Sequence, residues 1–312
     1  MKKLLLAMLA GSLLLSAENK VIVAKGGAPP VGPYSPGLDA GNYVYVSGQG
    51  VRDSKGQMPQ GIAAQTKQCI ENVRVILEAA GLSLTDTVAV QLYVDDAKNL
   101  PAVQAAYIEA FPHNPPRVTL VVAKMPTDTT VEITVVAAKK GAAKDRVYLP
   151  AVYGETMKEA EGNLKKELKK AGLSEKNVLF ANRYSVGSAE AGMVPMHELP
   201  AGAKNAIYAV AAKKKPAGLG FCEVAASDPT GTIEDQTKSV FAKLKSCLEK
   251  QGMSLNDVVA TNVYVDDLAD FGKMNAVYAT FFPGTKPTRT TVQPLPSSHK
   301  GSLARISAVA SK

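Results

Sequence analysis

The sequence predicts an α+β fold made of three tandem modules, on three observations. Residues 81–96, "GLSLTDTVAVQLYVDD", and residues 252–267, "GMSLNDVVATNVYVDD", agree at ten of sixteen positions without a gap. A third copy, "GLSEKNVLFANRY" at 172–184, keeps Gly172, Ser174 and Tyr184 at the same spacing. Each glycine closes an amphipathic helical run and is followed by a β-rich run such as "TVAVQLYV".

The elements follow from local chemistry. In "QTKQCIENVRVILEAAG", "ETMKEAEGNLKKELKKAG" and "QTKSVFAKLKSCLEKQG", apolar residues recur at three and four, and the final Gly supplies a left-handed C-cap. A second helix is expected at "NLPAVQAAYIEAF" and again at "DLADFGKMNAVYATFF", whereas only "SVGSAEAGMVPMH" follows Tyr184. The middle unit therefore lacks its second helix. "VEITVVAAKK", "NAIYAVAAKK" and "ARISAVASK" read as the last strand of each unit. The modules span 18–141, 142–215 and 216–312. A sheet with helices on one face must cover the other, so three sheets are expected to face one another about a pseudo-threefold axis, with clefts at the seams. Such a chain would act as a monomer.

Composition narrows the class. Hydrophobic residues at 46% and charged ones at 21% exclude extended disorder. Lys2 and Lys3 precede a twelve-residue apolar run, Leu4–Leu15, that is too short for a spanning helix and fits a secretory signal cleaved after Ala17. A periplasmic or secreted protein without stable membrane association is expected. The net charge of +8 sits mostly in short lysine runs without interleaved aromatics, so no nucleic-acid partner is expected. His113, His197 and His299 show no ligand spacing, and neither metal nor cofactor is expected. Three cysteines make no disulfide framework. Cys69 and Cys247 lie on apolar helix stripes, and Cys222 reads as a small apolar filler.

"GAPPVGPYSPGLDAGNYVYVSGQG", the "YVDD" strand, "PPRVTLVVAKMP" and "VEITVVAA" occur in the order of the reactive intermediate deaminase (Rid, or YjgF-like) family, which residues 20–140 resemble. That resemblance implies chorismate-mutase-like modules, a homotrimer fused into one chain, and ligand clefts between modules. It also implies hydrolysis of 2-imino or enamino acids to 2-keto acids and ammonia. The family's arginine falls on Arg117, its glutamate on Glu132, its serine on Ser47 followed by Gly48, and its tyrosine on Tyr34. Thr119 stands where a cysteine often lies. The second-helix asparagine position is Gln104 in the first module and Asn275 in the third.

These residue types suit the chemistry. A guanidinium fork grips a carboxylate, and a carboxylate beside the imine carbon can deprotonate a water. Taken singly, Arg117 also reads as an exposed strand-start residue, Glu132 as solvent-facing and Ser47 as a turn residue.

In the third module Arg289 matches Arg117, Arg305 falls opposite Glu132, and Cys222 takes the serine position. In the second, the two positions fall near Ala191 and Ala206. One competent cleft is therefore expected, built on Arg117 and Glu132, with Asn275 reaching in if the third module packs there. The alternatives are a non-catalytic binder of small carboxylates and, with only positive charge behind it, an endoribonuclease.

Overall fold

The computed structural model describes residues 19–142, 145–187, 192–226, 230–297 and 302–312. The segment read as a signal therefore lies outside the described residues, as do Ala191 and His299. Three sheets follow one another along the chain. The first contains β1 (Lys20–Ile22), β2 (Gly37–Ala40), β3 (Tyr43–Gln49), β4 (Thr87–Val94), β5 (Arg117–Val121) and β6 (Val131–Ala138) in the order β1-β2-β3-β6-β4-β5. Helices α1 (Ile62–Ala79) and α2 (Leu100–Ala110) cover one face. The second contains β7 (Val147–Tyr148), β8 (Val152–Gly154), β9 (Val178–Val186), β10 (Val194–Met196) and β11 (Asn205–Ala211). One helix, α3 (Met157–Lys170), packs on it. The third contains β12 (Leu219–Ala225), β13 (Val258–Val265), β14 (Thr288–Val292) and β15 (Ala304–Ser311), ordered β12-β15-β13-β14. It carries α4 (Ile233–Glu249) and α5 (Phe271–Phe281).

The repeated phrase is structural. Gly81, Gly172 and Gly252 have φ of 74°, 69° and 70°, the left-handed region where a Cβ is costly. Two residues on, Ser83, Ser174 and Ser254 each close a reciprocal capping box, with Asp86, Asn177 and Asp257 respectively. The box starts a single 3₁₀ turn that feeds β4, β9 or β13.

The tyrosine that follows in each copy marks the common axis. Tyr93, Tyr184 and Tyr264 are buried in one apolar cluster drawn from all three modules, with the hydroxyls of Tyr184 and Tyr264 3.3 Å apart. The helix-bearing faces hold separate cores. In the third, Phe241 stacks on Phe281 at 4.2 Å between centroids and meets Tyr278 edge-on. Backbone hydrogen bonds stitch the seams. The N–H of Ser35 donates to Pro287 O, that of Ala151 to Arg117 O and that of His197 to Pro294 O.

One reading of the cysteines needs correction. Cys222 is joined to Cys247, fastening β12 to α4 with their Cα atoms 6.1 Å apart. Cys69 remains free and buried. The stripe position of Cys247 points it at the sheet, and strand β12 crosses beneath it, a proximity that separation along the chain does not reveal. No helix among the described residues is long and apolar enough to cross a membrane.

Candidate active site

The candidate site begins with an irregularity in β3. Val46 pairs with Val135 and Gln49 with Ile133, so Ser47 and Gly48 together face a single residue of β6. This β-bulge re-aims the strand. Gly48 lies against Glu132, and a methyl group there would overlap the carboxylate. Ser47 is fully buried and turned the other way. Its hydroxyl donates to Ser35 O at 2.6 Å and accepts from the Arg289 N–H at 3.0 Å. Ser47 thus ties the first module to strand β14 of the third.

Glu132 sits on β6 opposite Tyr93 and is 7% exposed. Burial pushes its carboxyl up to about 8, with the nearby positive charge of Arg289 pulling weakly the other way. Among the described residues no side chain or backbone group hydrogen-bonds that carboxylate, and none forms an ion pair with it. Glu132, Tyr34, Gly48, Phe271, Arg289 and Thr291 line one cavity of about 210 Å³ at the seam of the first and third modules.

Arg289 comes from β14. Its guanidinium is packed against the rings of Tyr278, Tyr34 and Phe271, at 4.8, 5.1 and 5.6 Å from their centroids. The residue is 3% exposed, and both Nη1 and Nη2 lack a hydrogen-bond partner. Burial lowers its pKa from the ordinary arginine value. The loop before β2 closes over it at Gly32, where a side chain would overlap Nη2 and meet Asn275 Nδ2 at 3.3 Å. Asn275 Oδ1 and Thr291 Oγ1 are likewise buried and unpartnered. Tyr34 anchors this loop, its hydroxyl accepting from the Val31 N–H at 3.1 Å; burial raises its pKa.

The expected pairing of Arg117 with Glu132 is corrected by this geometry. Both belong to the first module, but they line different cavities. The first module turns its edge strand β5 toward the second module and its β3 bulge toward the third. Glu132 therefore meets Arg289. Arg117 faces the second module, together with Gln104 and Thr119, in a cavity of about 600 Å³. There its Nη2 donates to Gln104 Oε1 at 2.7 Å, and its guanidinium lies 4.3 Å from the Tyr107 ring centre. Ala206 pairs with Tyr184 as Glu132 pairs with Tyr93, so this cleft has alanine at the carboxylate position. At the remaining seam, Arg305 pairs with Tyr264 and its Nη1 donates to Glu223 Oε1 at 3.0 Å.

The assignment of Cys222 to the serine position also changes. It pairs with Ala308 in a ladder without a bulge, the register of Val46 rather than Ser47. Gly32, Phe271, Tyr278 and Thr291 were not read from the sequence as site residues. Thr291 was within reach, because it follows Arg289 at the spacing of Thr119 from Arg117. The aromatic cage was not, because its members come from two modules.

Three sheets joined about one axis, with arginine and carboxylate supplied across a seam, define a fused trimer of small α+β units. The profile of the endoribonuclease L-PSP family matches residues 26–139 and 219–311, and the chain belongs to this family, which comprises the Rid, YjgF and RutC proteins. It is 38% identical over 128 residues to the 2-iminobutanoate/2-iminopropanoate deaminase of Escherichia coli K12, an alignment covering 39% of this chain and 99% of that protein. It is also 38% identical over 125 residues to a RutC family protein of Pyrococcus horikoshii, with 39% and 99% covered. Among solved structures, the YjgF gene product of E. coli is similar at 35% identity, covering 38% of this chain and 98% of that one, with a TM-score of 0.37.

Proposed function

We propose that the seam between the first and third modules hydrolyses small 2-imino or 2-enamino acids to 2-oxo acids and ammonia. The observation that carries this reading is a buried guanidinium with two unpartnered nitrogens in the same small cavity as a buried carboxyl whose pKa is about 8. Leaving buried donors unmade costs about 1–3 kcal/mol each, more for a charged group. A substrate carboxylate taken by Nη1 and Nη2 would recover that cost. The aromatic cage fixes the plane of the fork and so the plane of the bound acid. With the imine carbon turned toward Glu132, its ionised carboxylate accepts a proton from water as the water oxygen bonds to that carbon. That proton passes to nitrogen, giving the carbinolamine; Glu132 then takes the proton of the new hydroxyl and delivers it to the amino nitrogen, so that the C–N bond breaks and ammonia leaves as the carbonyl forms. The named activity of the E. coli relative supports the substrate class.

A second reading, a carboxylate binder without turnover, draws support from the two seams that carry Ala206 and Arg305 at the carboxylate position. Ammonia release from freshly generated 2-iminopropanoate separates the two. Arg289→Ala is expected to reduce kcat/KM by roughly 100-fold or more, and Arg117→Ala to change it little. Equal losses would contradict a single live seam. We also propose export to an oxidising compartment, supported by the Lys2–Leu15 pattern and by the Cys222–Cys247 bridge. The shared tyrosine cluster supports function as a monomer.

A further inference from the structure

We infer that the three modules enclose a ligand site on their common axis, apart from the seams, and that it takes a small neutral single-ring lactam. The strands that carry the axial tyrosines run in step. Two residues before Tyr93, Tyr184 and Tyr264 stand Gln91, Asn182 and Asn262, on the same strand face. Their partners across the ladder are Thr134, Tyr208 and Ser307. A layer of polar side chains thus lies next to the tyrosine cluster. Two residues earlier again the strands hold Ala89, Phe180 and Ala260, and the two alanines leave room. That room is a cavity of about 70 Å³ lined from all three modules.

The lining selects the ligand. Among the described residues no charged side chain lines the cavity, and an unpaired ion would be costly to bury there, so the ligand is neutral. Tyr45, Tyr148, Phe180, Tyr208 and Phe221 form aromatic walls, with Phe180 and Phe221 stacked at 5.2 Å between centroids. Such walls suit a flat ring. The cavity has room for on the order of five waters, comparable to one six-membered ring. Asn182, flanked by the lining residues Phe180 and Tyr208, is 1% exposed. Neither its Oδ1 nor its Nδ2 has a hydrogen-bond partner, although the Tyr184 hydroxyl lies nearby. The neighbouring groups are engaged elsewhere: Gln91 Oε1 accepts from the Tyr93 hydroxyl at 3.0 Å, and the Thr134 hydroxyl is bonded to that of Thr290. A carboxamide sets one donor beside one acceptor, and a cis-lactam presents the same pair reversed. Two parallel hydrogen bonds would therefore satisfy both atoms of Asn182.

The test is titration of ¹³C-methyl-labelled protein with 2-pyridone, following the methyls of Val136, Val210 and Val309, which line the cavity, one from each module. Saturable shifts at those methyls are expected in wild type and in Arg289→Ala, which disables the Glu132 seam. N-methyl-2-pyridone, which lacks the donor, should bind wild type at least about tenfold more weakly. The same loss is expected for 2-pyridone with Asn182→Leu, and shifts should vanish in Ala260→Leu, which fills the space. Four results would each overturn the inference: no saturable shifts in wild type, equal binding of the two pyridones, shifts lost in Arg289→Ala, or undiminished binding by folded Asn182→Leu. The comparison of the two pyridones on wild type decides the matter even where a variant does not fold. None of these outcomes depends on the deaminase reading.

Discussion

Replacing Glu132 with glutamine should stabilise the protein while abolishing its proposed chemistry, and the stabilisation should depend on pH. A carboxyl displaced by burial from 4.5 to about 8 binds a proton in the folded state where the unfolded chain has released it. The sign follows from that difference. Below pH 4.5 both states are protonated and the buried group costs nothing extra. As pH rises to 8 the unfolded state is progressively favoured, and above 8 the full cost is in place. A displacement of that size corresponds to about 5 kcal/mol. Glutamine keeps the shape and never ionises, and about 1 kcal/mol is returned for its unpaired amide. The net effect of the substitution is therefore a gain on the order of 4 kcal/mol at pH 9 and a loss of about 1 kcal/mol at pH 4.5. At about 2 °C per kcal/mol for a chain of this size, Glu132→Gln should melt roughly 8 °C above wild type at pH 9. The assay is thermal unfolding of both proteins across pH 4.5–9. A constant offset, or one that shrinks toward alkaline pH, would refute a buried, raised carboxyl. In wild type, kcat/KM should rise with pH and level off near 8, since the base must be ionised.

Gly48→Ala should push the Glu132 carboxylate aside, with roughly 10–100-fold lower kcat/KM and little change in fold by circular dichroism. Ser47→Ala removes both the bond to Ser35 O and the one from the Arg289 N–H, costing about 1–3 kcal/mol in denaturant unfolding. Reduction of Cys222–Cys247, which closes a loop of 25 residues, should cost about 3.5 kcal/mol, read as a lower melting temperature in dithiothreitol that a Cys222→Ala/Cys247→Ala variant no longer responds to.

Much of this architecture was legible in the chain. The repeated glycine, serine and tyrosine at fixed spacing encode a C-cap, a capping box and an axial contact, all of which are local or self-repeating. The short stretch after Tyr184 gave away the missing helix, and Ala206 and Arg305 were read correctly as occupying the glutamate register. Those inferences needed only periodicity and alignment of one copy with another. The Cys222–Cys247 bridge was missed because a strand and a helix from opposite ends of a loop meet through packing. The register of Cys222 was misjudged because a bulge adds one residue to β3 and none to β12.

What the sequence alone determined is the set of parts: three modules, four guanidinium or carboxylate positions worth watching, and the likeness to a deaminase family. Only the tertiary structure decided which arginine answers to Glu132. Strand order places β5 and β14 at sheet edges that face the next module, while the β3 bulge opens on the other side, so Glu132 shares its cavity with an arginine from across a seam and not with the one in its own module. Membership of one module, on which the expected pairing of Arg117 with Glu132 rested, has no bearing on that closure.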